Sequence, residues 1–161
     1  MTKDEIKEFI ESVIIGFLLA LIISLFIKPV KVVGASMENT LSDGQRLFVL
    51  RQAYIGNKSP KYNDIVVVDT DKFGCDKKII KRVIATEGQS LKIDGSDVYV
   101  DGKKIEEPYI KEKMNPEWDI YIEEIPENKI FIMGDNRNNS GDSREIGLVD
   151  ESDVYGKVIG Y

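Results

Sequence analysis

The sequence predicts a mostly β protein: an antiparallel β-sheet core with a smaller β insertion, preceded by one N-terminal transmembrane helix. A single long apolar run lies near the N-terminus. After residue 30, short runs rich in Val, Ile, Phe and Tyr alternate with turn residues, which is the pattern of antiparallel strands. Hydrophobic residues make up 42% of the chain and charged residues 31%, as in globular proteins.

The apolar run covers residues 13–27, VIIGFLLALIISLFI, and apolar side chains extend it back to residue 9. Its length approaches the ~20 residues that cross a bilayer. Lys28 and the proline after it end the run with a charge and a helix breaker. Every face of this helix would be apolar, whereas a helix that packs on a core has one apolar stripe. We therefore expect a membrane anchor at residues 9–28, after a short N-terminus at residues 1–8.

A cleaved signal peptide is the alternative for the same run. Val33 and Ala35 form the small-residue pattern that precedes a cleavage site, which would lie before Ser36. Residues 1–12, however, carry more carboxylates than lysines, whereas a signal peptide begins with a positive segment. The run is also at the long end for a signal peptide, so the anchor is favoured. Lysines lie on both sides of the run and predict no orientation.

Strand-like segments follow the anchor at residues 46–50, 64–70, 77–85, 91–105, 128–134 and 153–161. The Asp-Gly pairs of the fourth segment, LKIDGSDVYVDGKKI, predict hairpin turns. Residues 111–128 are charged and interrupted by two prolines, so they are expected to form a surface excursion. Residues 91–127 are therefore expected to be an inserted β subdomain in a core formed by residues 30–90 and 128–161.

The chain has no histidine, which excludes a Ser-His-Asp or Cys-His catalytic site. Its one cysteine, Cys75, excludes an internal disulfide and argues against a zinc site. Cys75 lies in the polar stretch DKFGCDKK and is interpreted as incidental. The net charge of −6 provides no basic field for nucleic acid. An enzyme with this sequence would need Lys, Tyr, Asp or Glu as its base.

Without histidine, a lysine is the natural base for an activated serine. Such a lysine must be neutral, so burial has to lower its pKa well below ~10.4. Lys81 fits this requirement best because it lies within the apolar run IIKRVI. The alternative is an ordinary lysine on the solvent-exposed face of a half-buried strand. Ser36 lies among small residues, which leave main-chain N–H groups free for an oxyanion; the alternative is an ordinary loop serine.

Residues 134–147, GDNRNNSGDSREIG, are dense in Gly, Asn, Asp and Ser. A calcium-binding EF-hand loop needs Gly at its sixth position and Glu at its twelfth. Counted from Asp135, these positions hold Ser140 and Ile146, so the segment does not match. A flexible loop and a rigid polar shell around a catalytic group remain as interpretations.

These residues, in this order behind an apolar anchor, resemble the type I signal peptidases, membrane-bound serine proteases that remove signal peptides. The segment SMENTL is similar to the family motif Ser-Met-x-Pro-Thr-Leu, with Asn39 in place of Pro. NDIVVV and KRVIATEGQ resemble two further motifs, with Asn63, Ala85 and Gln89 as departures. GDNRNNSGDSREIG matches the last motif almost letter for letter. The resemblance covers nearly the whole chain.

By this resemblance Ser36 is the nucleophile and Lys81 the general base, and no metal or organic cofactor is needed. Ser140 matches the position that hydrogen-bonds the lysine, and Asp142 and Arg144 match a supporting ion pair. The main-chain N–H of Ser36 would serve the oxyanion hole. The residues implied to line pockets for small substrate side chains are Val32, Met37, Leu41, Ile79 and Ile80.

The resemblance also implies partners and location. The partners would be the signal peptides of exported preproteins, bound as an added strand, and the lipid bilayer, with no nucleic acid. The chain would span the cell membrane once, with a cytoplasmic N-terminus and an extracytoplasmic β domain. Gly34 stands where some family members have a serine hydroxyl, so that oxyanion donor is missing. Asn39 is expected to alter a turn more than the chemistry, because Pro would only preset φ.

Two other classes of protein remain as alternatives. The self-cleaving repressors of the SOS response share a related Ser-Lys dyad and β core, but they carry a DNA-binding helix-turn-helix where this chain has an apolar anchor. A secreted β module that binds a ligand would instead be released before Ser36, and its mature chain would begin there. The acidic segment at residues 1–12 argues against such release.

Overall fold

The structure, a computed structural model, describes residues 2–56, 58–73 and 78–161, so Cys75 lies outside the described residues. The helices and strands are α1 Lys3–Phe26, β1 Ile27–Lys31, β2 Arg46–Leu50, β3 Ile65–Asp69, β4 Lys78–Thr86, β5 Leu91–Asp94, β6 Asp97–Val100, β7 Lys103–Lys104, β8 Asp119–Ile122, β9 Lys129–Met133, α2 Ser143–Ile146, β10 Val149–Asp150 and β11 Val154–Ile159. The predicted fold class, mostly antiparallel β with one N-terminal apolar helix, is confirmed.

Helix α1 begins at a capping box and runs directly into the sheet. The side chain of Thr2 accepts a hydrogen bond from the N–H of Glu5, and the Glu5 carboxylate accepts one from the N–H of Thr2. With 24 residues and no buried side chain, α1 is long and apolar enough to cross a bilayer. It ends before the predicted anchor of residues 9–28 does, because the first residues of β1 already pair with β2. The N–H of Arg51 binds the carbonyl of Phe26 at 3.0 Å and ties the helix end to the sheet.

Seven strands form one antiparallel sheet in the order β1-β2-β11-β3-β4-β9-β10. Strand β3 buries four consecutive residues because it is central and covered on both faces. Strand β4 pairs with β3 over Lys78–Arg82 and with β9 over Arg82–Thr86, with an irregular register between Val83 and Ala85. Among the described residues, the first half of β4 therefore keeps one free edge. Within the same residues, strand β1 pairs with β2 alone and keeps another.

The second sheet has the order β7-β6-β5-β8 and packs on the first. The predicted hairpins are present: the β6–β7 turn places Asp101 and Gly102 at φ 51° and 70°, as a type I′ turn requires. The two sheets share one hydrophobic cluster, formed by Ile84, Ala85, Leu91, Ile93, Val98, Val100, Met114, Ile125, Phe131 and Met133. The second sheet therefore depends on the first for its core.

Residues 111–128 lie mostly at the surface, as the sequence predicted, but they also contain a strand that it did not predict. Strand β8 lies within them and pairs with β5 over its whole length. Met114 is 2% exposed and Ile125 is fully buried. The strand was missed because a strand with one solvent-exposed face is half polar, and the neighbouring charges and prolines hide its alternation.

Candidate active site

Two overlapping turns shape residues 35–41, which we call the Ser36 loop. The N–H of Thr40 binds the carbonyl of Met37 at 3.0 Å, and Asn39, the third residue of that turn, has φ 89°. A type II turn requires a positive φ at this place, which Asn tolerates and the proline ring cannot adopt. Asn39 therefore gives this chain a turn that the family's proline could not form, so the expectation that Pro would only preset φ here was wrong.

Asn136 holds the main chain on both sides of the Ser36 α-carbon. Its N–H donates to the carbonyl of Ser36 at 3.0 Å, and its Nδ2 donates to the carbonyl of Ala35 at 3.0 Å. Within the described part of the chain, no group accepts a hydrogen bond from the N–H of Ser36. That N–H is therefore free to stabilise an oxyanion next to the hydroxyl.

Strand β4 brings Lys81 to the Ser36 loop. Lys81 is 3% exposed, and its Nζ donates to Ser36 Oγ at 2.7 Å. Burial lowers the pKa of Lys81 from its ordinary 10.5 to about 8; the negative charges of Asp142 and Asp135 oppose the shift, and Arg144 adds to it. The residue that sequence analysis selected as a base is thus a buried amine with a hydroxyl as its hydrogen-bond partner.

The last motif, residues 134–147, forms a rigid polar shell. Arg144 donates from Nε and Nη2 to the two oxygens of Asp142, at 2.8 and 2.9 Å. The N–H of Gly134 and the hydroxyl of Ser140 also donate to Asp142, at 2.9 and 2.7 Å. Burial alone would raise the pKa of Asp142, but these hydrogen bonds and the Arg144 charge outweigh it and lower that pKa.

Glycine is required at position 134 by packing. A Cβ there would collide with the Ser140 hydroxyl and with the main-chain carbonyl of Ser36. The absence of a side chain lets the end of β9 lie against the Ser36 loop. The spacing between the two elements therefore depends on this glycine.

Ser140 has a different partner from the one that the resemblance implies. Its hydroxyl donates to Asp142, and no hydrogen bond joins it to Lys81 among the described residues. The hydroxyl gives its proton to the buried carboxylate because a charged acceptor forms the stronger hydrogen bond. Ser140 thus braces Asp142, whose charge acts on Lys81.

A buried ion pair beside Lys81 was missed by sequence reasoning. Arg82 is 3% exposed and donates to both oxygens of Asp135, at 2.8 and 2.6 Å. Its Nη1 also donates to the side chain of Asn63 at 2.7 Å, and its guanidinium lies 4.0 Å from the ring centre of Tyr109. Burial would lower the pKa of Arg82, but Asp135 outweighs it and raises that pKa. The available signal was an arginine inside an apolar strand, which must find a carboxylate.

A cleft of about 450 Å³ opens beside Ser36 and Lys81, between β1 and the free half of β4. The residues on its wall are Val30, Lys31, Val32, Val33, Ser36, Met37, Val67, Lys78, Ile79, Ile80 and Lys81. Four of the five predicted pocket residues are among them. Leu41, the fifth, is instead 1% exposed in the hydrophobic cluster that underlies the wall.

The chain is similar to known proteins over almost its whole length. The family model described as signal peptidase, peptidase S26, matches residues 6–160. A signal peptidase I of Bacillus licheniformis is 36% identical over 165 residues, covering 96% of this chain and 87% of that protein. Signal peptidase I T of Bacillus subtilis (strain 168) is 39% identical over 162 residues, covering 92% of this chain and 81% of that protein.

A solved structure supports the fold. The crystal structure of a signal peptidase I from Enterococcus faecalis V583 aligns with a TM-score of 0.54 and 24% identity, covering 65% of this chain and 100% of that one. An antiparallel β fold of this kind, in a chain related throughout to peptidases, defines a serine endopeptidase. The chain belongs to the signal peptidase family, peptidase S26, as the sequence motifs implied.

Proposed function

We propose that this chain is a membrane-anchored endopeptidase that removes N-terminal signal peptides from exported preproteins. The observation that carries the proposal is the 2.7 Å contact between Ser36 Oγ and a lysine that is 3% exposed. No carboxylate of the described residues hydrogen-bonds that lysine, so its proton is held weakly. Membership of the signal peptidase family supplies the class of substrate.

The chemistry is acyl transfer by a Ser-Lys dyad. With a pKa of about 8, roughly a tenth of Lys81 is neutral at neutral pH. The neutral amine takes the Ser36 proton as Oγ attacks the scissile carbonyl, and the N–H of Ser36 donates to the oxyanion. The Lys81 ammonium then protonates the leaving amine. In the second half, neutral Lys81 activates a water that hydrolyses the acyl-enzyme.

The substrate binds in extended form between two free strand edges. The edge of β1 and the unpaired edge of the first half of β4 face the same cleft. An extended peptide placed there can hydrogen-bond to main chain on both sides. Its alternate side chains then point at the apolar wall formed by Val32, Ile79 and Ile80, which suits small side chains before the cut.

Helix α1 serves as a retained anchor, with its N-terminus in the cytoplasm and the β domain outside. The helix continues without a linker into β1, which forms one side of the cleft. Cleavage before Ser36 would remove β1 and the buried Val32 from the sheet and uncover Leu47 and Val49. Because exposure of these apolar side chains would destabilise the sheet, an anchored enzyme is favoured over a module released before Ser36. N-terminal sequencing of the membrane-bound protein tests retention, and a mature chain that begins at Ser36 would contradict it.

The test of function is preprotein cleavage by the full chain in detergent micelles. Ser36→Ala and Lys81→Ala should each abolish cleavage while the β domain stays folded. The matched controls are Ser152→Ala and Lys103→Ala, which change exposed residues outside the cleft and should leave cleavage unchanged. Full activity in either dyad variant would refute the proposed roles, and no cleavage by the wild type would refute the proposed substrate.

A further inference from the structure

Ser36 and Lys81 are separated by 45 residues and lie on different elements, yet their side chains meet at 2.7 Å. The reaction needs this contact to be held closely, because a displacement near 1 Å can cost about a hundredfold in rate. Asn136 holds the Ser36 end of the loop through hydrogen bonds to two main-chain carbonyls. The far half of the Ser36 loop is anchored in the core by Met37 and Leu41, and a further polar contact there can fix its position relative to the strand that carries Lys81.

Thr40 lies in that far half, and its hydroxyl has two partners. Its Oγ1 donates to Asp135 Oδ2 at 2.5 Å and accepts from Arg82 Nη2 at 3.2 Å. Arg82 is the strand neighbour of Lys81, and Asp135 is the chain neighbour of Asn136. One hydroxyl therefore joins the Ser36 loop to the strand that carries the base and to the segment that holds the serine main chain.

The two partners of Thr40 do not depend on it for their own pairing. Arg82 and Asp135 bind each other through two hydrogen bonds, at 2.8 and 2.6 Å, and both are buried. Thr40 adds its hydroxyl to a pair that is already complete. The gain from this contact thus goes to the position of the loop, which is also held by the buried side chains of Met37 and Leu41 and by hydrogen bonds of Asn39, but which only Thr40, among the described residues of the loop, links to the Arg82–Asp135 pair.

From these contacts we infer that Thr40 is a positioning residue, which acts through the Arg82–Asp135 pair to hold the Ser36 hydroxyl in register with Lys81. The inference rests on the proposed peptidase function and extends it to a residue that touches neither substrate nor reacting atoms. Thr40 does not line the cleft. Its loss should therefore affect the chemical step, seen in kcat, more than substrate binding, seen in KM.

The experiment compares two substitutions with opposite chemistry at this position. Thr40→Val keeps the shape of the side chain and removes the hydroxyl. Thr40→Ser keeps the hydroxyl and removes the methyl group. The matched control is Thr86→Val at the end of β4, where the hydroxyl binds Gln89 at 3.2 Å, away from the Ser36 loop. All variants are full-length, and Trp118, the single tryptophan, reports unfolding by its fluorescence.

We expect Thr40→Val to lower kcat for preprotein cleavage by about tenfold to a hundredfold, with KM within about twofold and a somewhat lower unfolding midpoint that still leaves the enzyme fully folded under assay conditions. Thr40→Ser should recover most of the lost kcat, and Thr86→Val should match the wild type. A Thr40→Val enzyme with wild-type kcat would overturn the inference. So would a Thr40→Ser enzyme as impaired as Thr40→Val, since the methyl packing would then be the cause.

Wild type and Ser36→Ala are run in the same series. Cleavage by the wild type and none by Ser36→Ala supports the proposed function independently of Thr40. With that established, an unaffected Thr40→Val enzyme refutes the positioning role alone. A wild type that does not cleave the preprotein would refute the function, and the positioning role with it.

Discussion

Lys81 and Arg82 are consecutive residues of β4 and both are 3% exposed, but they point to opposite sides of the strand and meet different surroundings. Lys81 finds a hydroxyl, and burial lowers its pKa to about 8. Arg82 finds the carboxylate of Asp135, the amide of Asn63 and the ring of Tyr109. The comparison teaches that burial without a hydrogen-bonded carboxylate lowers the pKa of a lysine, whereas a paired carboxylate fixes the position of an arginine, which stays charged in either setting.

The largest effect should follow from the substitution Lys81→Arg, which places an arginine on the side of β4 that faces Ser36. Lys81→Arg keeps a positive charge of similar reach but cannot be deprotonated near neutral pH, because the pKa of Arg exceeds ~12. We expect cleavage to fall by about a hundredfold to ten-thousandfold, the range of a general base. Initial rates on a preprotein measure this. A Lys81→Arg enzyme that retains more than about a tenth of the wild-type rate would show that Lys81 acts by charge alone.

The second prediction concerns the ion pair between Arg82 and Asp135. Asp135→Asn leaves Arg82 buried without its carboxylate, and removal of one partner from a buried pair costs about 3–5 kcal/mol. The free energy of unfolding, measured in denaturant by Trp118 fluorescence, should fall by that amount. The control is Asp97→Asn, which removes an exposed partner of Lys104 and should cause no measurable change. Equal stability of the two variants would mean that the Arg82 pair contributes no more than a surface pair.

A third substitution should stabilise the protein. A pKa lowered from 10.5 to about 8 places a penalty on the order of 3 kcal/mol on the charged form of Lys81. Lys81→Met removes that charge, so the variant should be inactive but more stable near neutral pH, by up to about 3 kcal/mol. A variant less stable than the wild type near neutral pH would contradict the assignment of Lys81 as a strained, buried cation.

The pH dependence of that gain has a definite sign. The unfolded chain holds the Lys81 proton more tightly than the folded chain does, so wild-type stability rises as the pH increases from about 8 towards 10.5. The advantage of Lys81→Met should therefore be full below about pH 8 and should vanish near pH 10.5. Denaturant unfolding at both ends of this window measures it.

The smallest effect is on the wild-type pH profile. In the proposed mechanism neutral Lys81 is the active form, so cleavage should rise about tenfold between about pH 7 and pH 9 and level off above a pKa of about 8. Asp142→Asn removes a negative charge that raises the Lys81 pKa, so its profile should lie at lower pH. A rate that is flat over this range in the wild type would show that Lys81 does not titrate in the rate-limiting step.

Much of the site could be predicted from residue types. The missing histidine led to lysine, the apolar surroundings selected Lys81, and the family motifs added Ser36 and residues 134–147. The Arg82–Asp135 pair could not be predicted in the same way, because its members are 53 residues apart and meet only through the β4–β9 register. The hydrogen bond of Ser140 to Asp142, at 2.7 Å, likewise depends on which polar groups the fold brings close to that hydroxyl.

The sequence by itself determined the apolar helix, the antiparallel strands and the absence of any base but lysine, tyrosine or a carboxylate. These features follow from the local sequence pattern and the composition, which do not depend on tertiary contacts. Only the tertiary structure decided that Lys81 is buried against a hydroxyl and that Arg82 is paired with a carboxylate. The reason is physical: desolvation and charge pairing depend on groups that are distant in sequence, and Lys81 and Arg82 share almost the same sequence neighbours while facing different parts of the fold.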